Sequence, residues 1–134
     1  MARLQSKTLF FITSPRTPMK MIPEIELIVK KFNGKVWNSA TQESFMKELA
    51  NSPSFEGHGS PKDLAFSARD RINRGPKALG FVDLKPTISI SDAGKMFLNE
   101  ETSEEALLRQ LLKFQLQTQF YLFMQHNVCK HFLN

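Results

Sequence analysis

The sequence predicts a mainly helical α+β domain with the element order of a winged helix-turn-helix: three helices, a two-stranded wing and extra C-terminal helices. Three observations carry that expectation. Three segments with helical apolar spacing come first, and the third contains "AFSARDRINR" (65–74), with three arginines, one aspartate and an asparagine in ten positions. Next, "ALGFVD" and "TISIS" read as short strands on either side of "LKP". Last, "SDAGKMFL" opens a helix directly after the second strand, a frequent wing pattern.

The elements follow in order. "TLFFIT" (8–13) is β-branched and aromatic and is ended by "SPRTP", so it reads as a strand and a rigid turn. In "IPEIELIVKKFNG", Pro23 suits the first helical position and Gly34 the stop. Ile25, Ile28, Val29 and Phe32 fall on one face. "SATQESFMKELANSP" is the second helix, with Ser39 and Gln42 at capping-box spacing and Phe45 and Leu49 as its apolar stripe. A loop rich in Gly, Ser and Pro follows. The third helix is expected over 61–74, with Ser60 as cap, Pro61 at the first position, Asp63 closing the box and Gly75-Pro76 as the stop. In the wing, Ile88 and Ile90 alternate with Thr87, Ser89 and Ser91, so that strand has one wet face. Ser91 or Asp92 caps the next helix, and Thr102 with Glu105 opens the last.

The chain has 134 residues, the length of one domain, and a net charge of +5. With a pI near 9.5 the preferred partner is anionic, nucleic acid ahead of an anionic membrane. The single cysteine, Cys129, excludes an internal disulfide and suits a reducing compartment. The apolar run Leu9 to Ile12 is too short for a signal peptide or a bilayer span. The expectation is a cytoplasmic protein with no membrane association.

Placed on a wheel of about 100° per residue, Leu64, Ala65, Ala68 and Ile72 of the third helix gather on a core face. Ser67, Asp70, Asn73 and Arg74 point away, and Arg69 and Arg71 sit at the borders. Arginine can pair with guanine O6 and N7, and asparagine with adenine N6 and N7. That makes Ser67, Arg69, Arg71, Asn73 and Arg74 candidate DNA contacts. Lys62 and Lys77 at the helix ends, Arg16 in the "SPRTP" turn and Lys85 in the wing suit phosphates. Phe66 also falls on the outer side. The competing explanation is a solvated helix whose arginines pair locally, as Asp70 with Arg74 at i, i+4.

Catalytic signals are weak. Asp83-Leu84-Lys85 has the D-x-K form of metal-dependent nuclease centres but needs a second acid on a neighbouring strand. His126, Cys129 and His131 do not match a zinc pattern. Ser14, Ser67 and His58 form no triad, and "GHGSP" lacks the lysine of a phosphate-binding loop. No catalytic residue, metal ligand or cofactor is assigned to this chain.

"SPRTPMKMIPE", Trp37, "QESFMKELANSPSFEG", "AFSARDRI", "LGFVD", "ISDAGKMFL" and "LLRQLLKFQ" occur in that order. Together, over about residues 9 to 116, they resemble the N-terminal part of the AlwI-type family of type IIS restriction endonucleases, similar in plan to FokI. The resemblance implies recognition of a short asymmetric DNA site through winged-helix subdomains. It also implies a separate C-terminal cleavage domain that uses Mg²⁺ and has no counterpart here, so the chain alone would bind double-stranded DNA weakly and cut nothing. Residues 1–116 would be the recognition subdomain. Residues 117–134, "QTQFYLFMQHNVCKHFLN", depart from the family pattern and read as a divergent tail, from truncation or a frameshift, with the remainder of the endonuclease as a partner. The alternative is a stand-alone winged-helix transcription regulator, its last helix a dimer surface. A third expectation is a winged helix that binds protein and no nucleic acid.

Overall fold

A computed structural model describes the backbone over residues 18–55 and 62–132, with side chains described as far as residue 117. The expected N-terminal strand, Arg16 in its turn, and the Ser60-Pro61 helix start lie outside the described residues. Among the described residues the architecture is mainly helical with one small antiparallel sheet, an α+β arrangement.

Helix α1 (Met21–Leu27) continues as a wider π turn, Ile28–Phe32. Met21, Ile25, Ile28 and Phe32 are buried, which is the expected stripe extended one turn back. Pro23 sits inside the first turn rather than opening it. It costs little there, because first-turn N–H groups have no intrahelical acceptor. Gly34 ends the element in the left-handed region, at φ +79°.

Helix α2 (Ser39–Ala50) is capped one residue earlier than expected. Asn38 Oδ1 accepts from the Thr41 N–H and the Thr41 hydroxyl, both at 3.0 Å. Gln42 is therefore free of a capping box; it is buried and donates to the Trp37 carbonyl at 3.2 Å. Helix α3 (Leu64–Ile72) packs chiefly on α2. It starts later than expected: Asp63 is its cap and accepts from the Phe66 N–H at 2.8 Å. It also ends later. A π turn, Asn73–Lys77, carries the chain through buried Gly75 and Pro76. Proline has no N–H and crowds the carbonyl four residues back, and a widened turn relieves both.

Strands β1 (Val82–Asp83) and β2 (Ser89–Ile90) pair antiparallel, Val82 against Ile90 and Asp83 against Ser89. The segment after α1 joins the same ribbon: Gly34 N–H donates to the Ile88 carbonyl and Ile88 N–H to the Lys35 carbonyl, each at 2.8 Å. Helix α4 (Asp92–Leu98) is capped by Ser91, whose Oγ accepts from Gly94 N–H at 3.0 Å. The Phe97 ring of α4 stacks on Phe81 with centroids 4.3 Å apart. Gly94 lets helix and ribbon meet, since a Cβ there would run into the Phe81 carbonyl and the Ile90 side chain. Helix α5 (Ser103–Phe132) packs on α4 and crosses position 116 without a break. Among the described residues no helix is long and apolar enough to cross a membrane.

Candidate nucleic-acid interface

Helix α3 divides its residues much as the wheel expects. Ala68 and Ile72 are fully buried, and Leu64 packs against the core. Arg69, Asn73 and Arg74 are exposed, as are Lys62 and Lys77 beyond the two ends of α3 and Lys85 in the wing turn. Ser67 is half-buried. Arg16 is outside the described residues. Phe66 does face outward and keeps 58% of its surface in solvent.

Local pairing touches one of these groups. Arg74 Nε meets Asp70 Oδ1 at 2.6 Å, the expected i, i+4 pair, with the arginine 58% exposed. A pair this wet is worth about 0–1 kcal/mol, so a phosphate or base can displace it. Among the described residues Arg69 has no ion pair.

Arg71 behaves differently. Its Nη1 donates to Glu24 Oε1 of α1 at 3.0 Å, and its guanidinium carbon lies 4.9 Å from the Phe55 ring centroid. Its side chain is 30% exposed, against 6% for Glu24. The structure thus engages in the interior a guanidinium that the wheel placed at the border of the outer face. Burial pushes the Glu24 carboxyl above its ordinary range, and the hydrogen bond and charge of Arg71 pull partly the other way. Glu24 Oε2 is buried with no hydrogen-bond partner.

Sequence reasoning did not find Glu24 or Phe55. The Glu24 signal was present: of the two acids that flank Ile25, Glu24 stands four residues before Ile28, on the stripe that enters the core. A carboxylate in that position needs a partner from another element. Lys113 of α5 was also not singled out; it lines a groove of about 280 Å³ together with Lys77.

Asp83 and Lys85, the D-x-K pair, are both exposed at the end of the ribbon. Among the described residues no group of three or more His, Cys, Asp or Glu side chains could hold a metal ion. The side chains of His126, Cys129 and His131 lie outside the described ones. No protein-family model matches the chain, and neither a curated protein nor a solved structure matches it.

Proposed function

We propose that this chain is a duplex-DNA recognition module of winged-helix type, of the kind type IIS restriction endonucleases carry, with α3 entering the major groove. The observation that carries the reading is the outer face of α3. Arg69, Asn73 and Arg74 are exposed together on it, with Lys62 and Lys77 flanking it. Those are the side chains that suit base edges in the middle and phosphates at the ends.

The frame supports the same reading. The basic helix precedes a two-stranded ribbon, and the ribbon's other edge is taken up by the segment between α1 and α2. One departure has a physical compensation. A simple helix-turn-helix joins its helices by a turn of about 3–4 residues, whereas here residues 51–63 link α2 to α3. Here α3 is held by its packing on α2, with the Arg71–Glu24 pair tying it to α1.

The test is fluorescence anisotropy with a library of short duplexes at several salt concentrations. Arg69→Ala and Arg74→Ala should each cost about 1–3 kcal/mol at a preferred site. Lys62→Ala and Lys77→Ala should weaken all sequences alike and reduce the salt slope by about 1 each. Unchanged affinity in the Arg69→Ala/Arg74→Ala double variant refutes the proposal.

A second reading, a stand-alone winged-helix regulator, is favoured by one observation. Leu108, Leu112 and Leu116 stand at four-residue spacing on α5 and remain 59%, 56% and 68% exposed. In a regulator that stripe meets a second copy, and size-exclusion at several concentrations would show a stable dimer. A monomer at all concentrations removes this reading.

A further inference from the structure

A groove of about 280 Å³ opens where the π turn after α3 meets α5. Lys77 and Gly80 line it from the α3 side, and Gln110, Lys113 and Gln117 from α5. Among the described residues no acid lines it, and both lysines are exposed without an ion pair. A cleft lined by charge of one sign concentrates the opposite ion.

A second, independent observation points to the same kind of ligand. Gln110 is only 9% exposed, and among the described residues its side-chain amide has no hydrogen-bond partner. The unpartnered atoms sealed from solvent are on Glu24, Trp37, Gln42 and Ser103, not on Gln110. The Gln110 amide therefore keeps accessible surface, and that surface is in the groove. Gly80 is exposed on the groove wall, and a Cβ on it would stand 3.4 Å from Gln110 Nε2. The amide nitrogen carries two donors. A polar group this buried is destabilising until a ligand or water answers it. Two ammonium groups and an amide N–H together suit one group of anionic oxygens.

The groove is continuous with the outer face of α3. Arg69, Asn73 and Lys77 recur every four residues along α3 and its π turn, so they form a row, and Lys77 at its end lines the groove. We propose, on the strength of the duplex reading of α3, that this groove seats a phosphate of the same duplex's backbone. Lys113 and Lys77 supply the charge and Gln110 donates to a phosphate oxygen. Helix α5 thereby takes part in positioning the duplex and carries no sequence information.

The test is fluorescence anisotropy with the full chain and labelled short duplexes over a salt series. Lys113→Gln should weaken duplexes of every sequence alike, by about five- to ten-fold at about 0.1 M salt, and lower the salt slope by about 1, the signature of one lost phosphate contact. Lys113→Arg should restore both. Gln110→Met should also weaken the duplex without lowering the melting temperature, because it removes an amide that has no partner; a glutamine with a purely structural role would lower that temperature. Lys95→Gln removes the same charge from α4 and should leave the slope unchanged. An unchanged slope in Lys113→Gln, or an equal loss in Lys95→Gln, would overturn the proposal. These outcomes are separable from the reading of α3. If Arg69→Ala/Arg74→Ala abolishes sequence preference while Lys113→Gln changes nothing, the groove falls and α3 stands; the reverse pattern removes α3 and keeps the groove. Inorganic phosphate tests the other source of the same chemistry. At matched ionic strength, millimolar phosphate should not displace the duplex, and displacement that Lys113→Gln abolishes would assign the groove to a free anion and overturn the proposal.

Discussion

Replacing Arg71 by alanine separates a strut from a reader of bases. In the folded protein its guanidinium meets a carboxyl that is 6% exposed and covers the Phe55 ring at 4.9 Å. Removing one partner of a fully buried pair costs about 3–5 kcal/mol. Two features lower that figure here. The Arg71 side chain is 30% exposed, so water already screens part of the interaction. Glu24 can also take up a proton, a response its burial already favours. Loss of the cation–π contact adds about 0.5–1 kcal/mol. The net expectation at neutral pH is a loss of about 2–3 kcal/mol. Urea unfolding followed by circular dichroism would show it as a lower midpoint with an unchanged slope. The Arg71→Met/Glu24→Gln double variant should recover most of the loss, since an apolar replacement of a buried pair is often neutral. A loss below about 0.5 kcal/mol, the scale of an ordinary surface change, would refute the reasoning, and a large accompanying loss of DNA affinity would return Arg71 to the reading face.

Three other outcomes are expected. Burial raises the Glu24 carboxyl above 4.5 in the folded state, so its contribution to stability is full below that value and is lost as pH rises through the folded one. The stability of Glu24→Gln relative to the parent should therefore increase between about pH 4 and pH 8 in urea titrations, and a constant difference would show that Glu24 is not held as described. Gly94→Ala should cost about 1–3 kcal/mol in thermal unfolding, because the added Cβ meets the Phe81 carbonyl and Ile90; an unchanged melting temperature would mean that α4 and the ribbon separate easily. Asp63→Ala should cost about 0.5–2 kcal/mol as a lost helix cap, whereas Ser39→Ala should cost almost nothing, since Asn38 holds the cap of α2.

The local features of this fold were readable from spacing and turn chemistry. The stripe Ile25, Ile28, Phe32, the cap Ser91, the pair Asp70–Arg74 and the outward Phe66 all depend on neighbours within about two helical turns. Helix limits were read less well. Both Ser60 and Asp63 have cap chemistry, and sequence does not rank two caps three residues apart. The π turns at Ile28–Phe32 and Asn73–Lys77 escape a search for the ordinary helical period, because they change the period itself. The partner of Arg71 was hidden for another reason. Glu24 is 47 residues away, and only the packing of α1 and α3 around one core brings them together.

That long-range pair bears on how α3 presents its outer face. An apolar pair of similar volume would hold the two helices together equally well, so stability alone does not account for an ion pair at this position. Orientation does. A guanidinium fork accepts a carboxylate in few geometries, whereas a methionine packs in many. Turning α3 by one residue rotates it by about 100°, which would carry Ile72 outward and Asn73 into the core. The Arg71–Glu24 bond, standing one position before Ile72 and two before Asn73, opposes that rotation directly. Arg71 thereby resists rotation of the helix, and this fixes the side to which the exposed Arg69, Asn73 and Arg74 face.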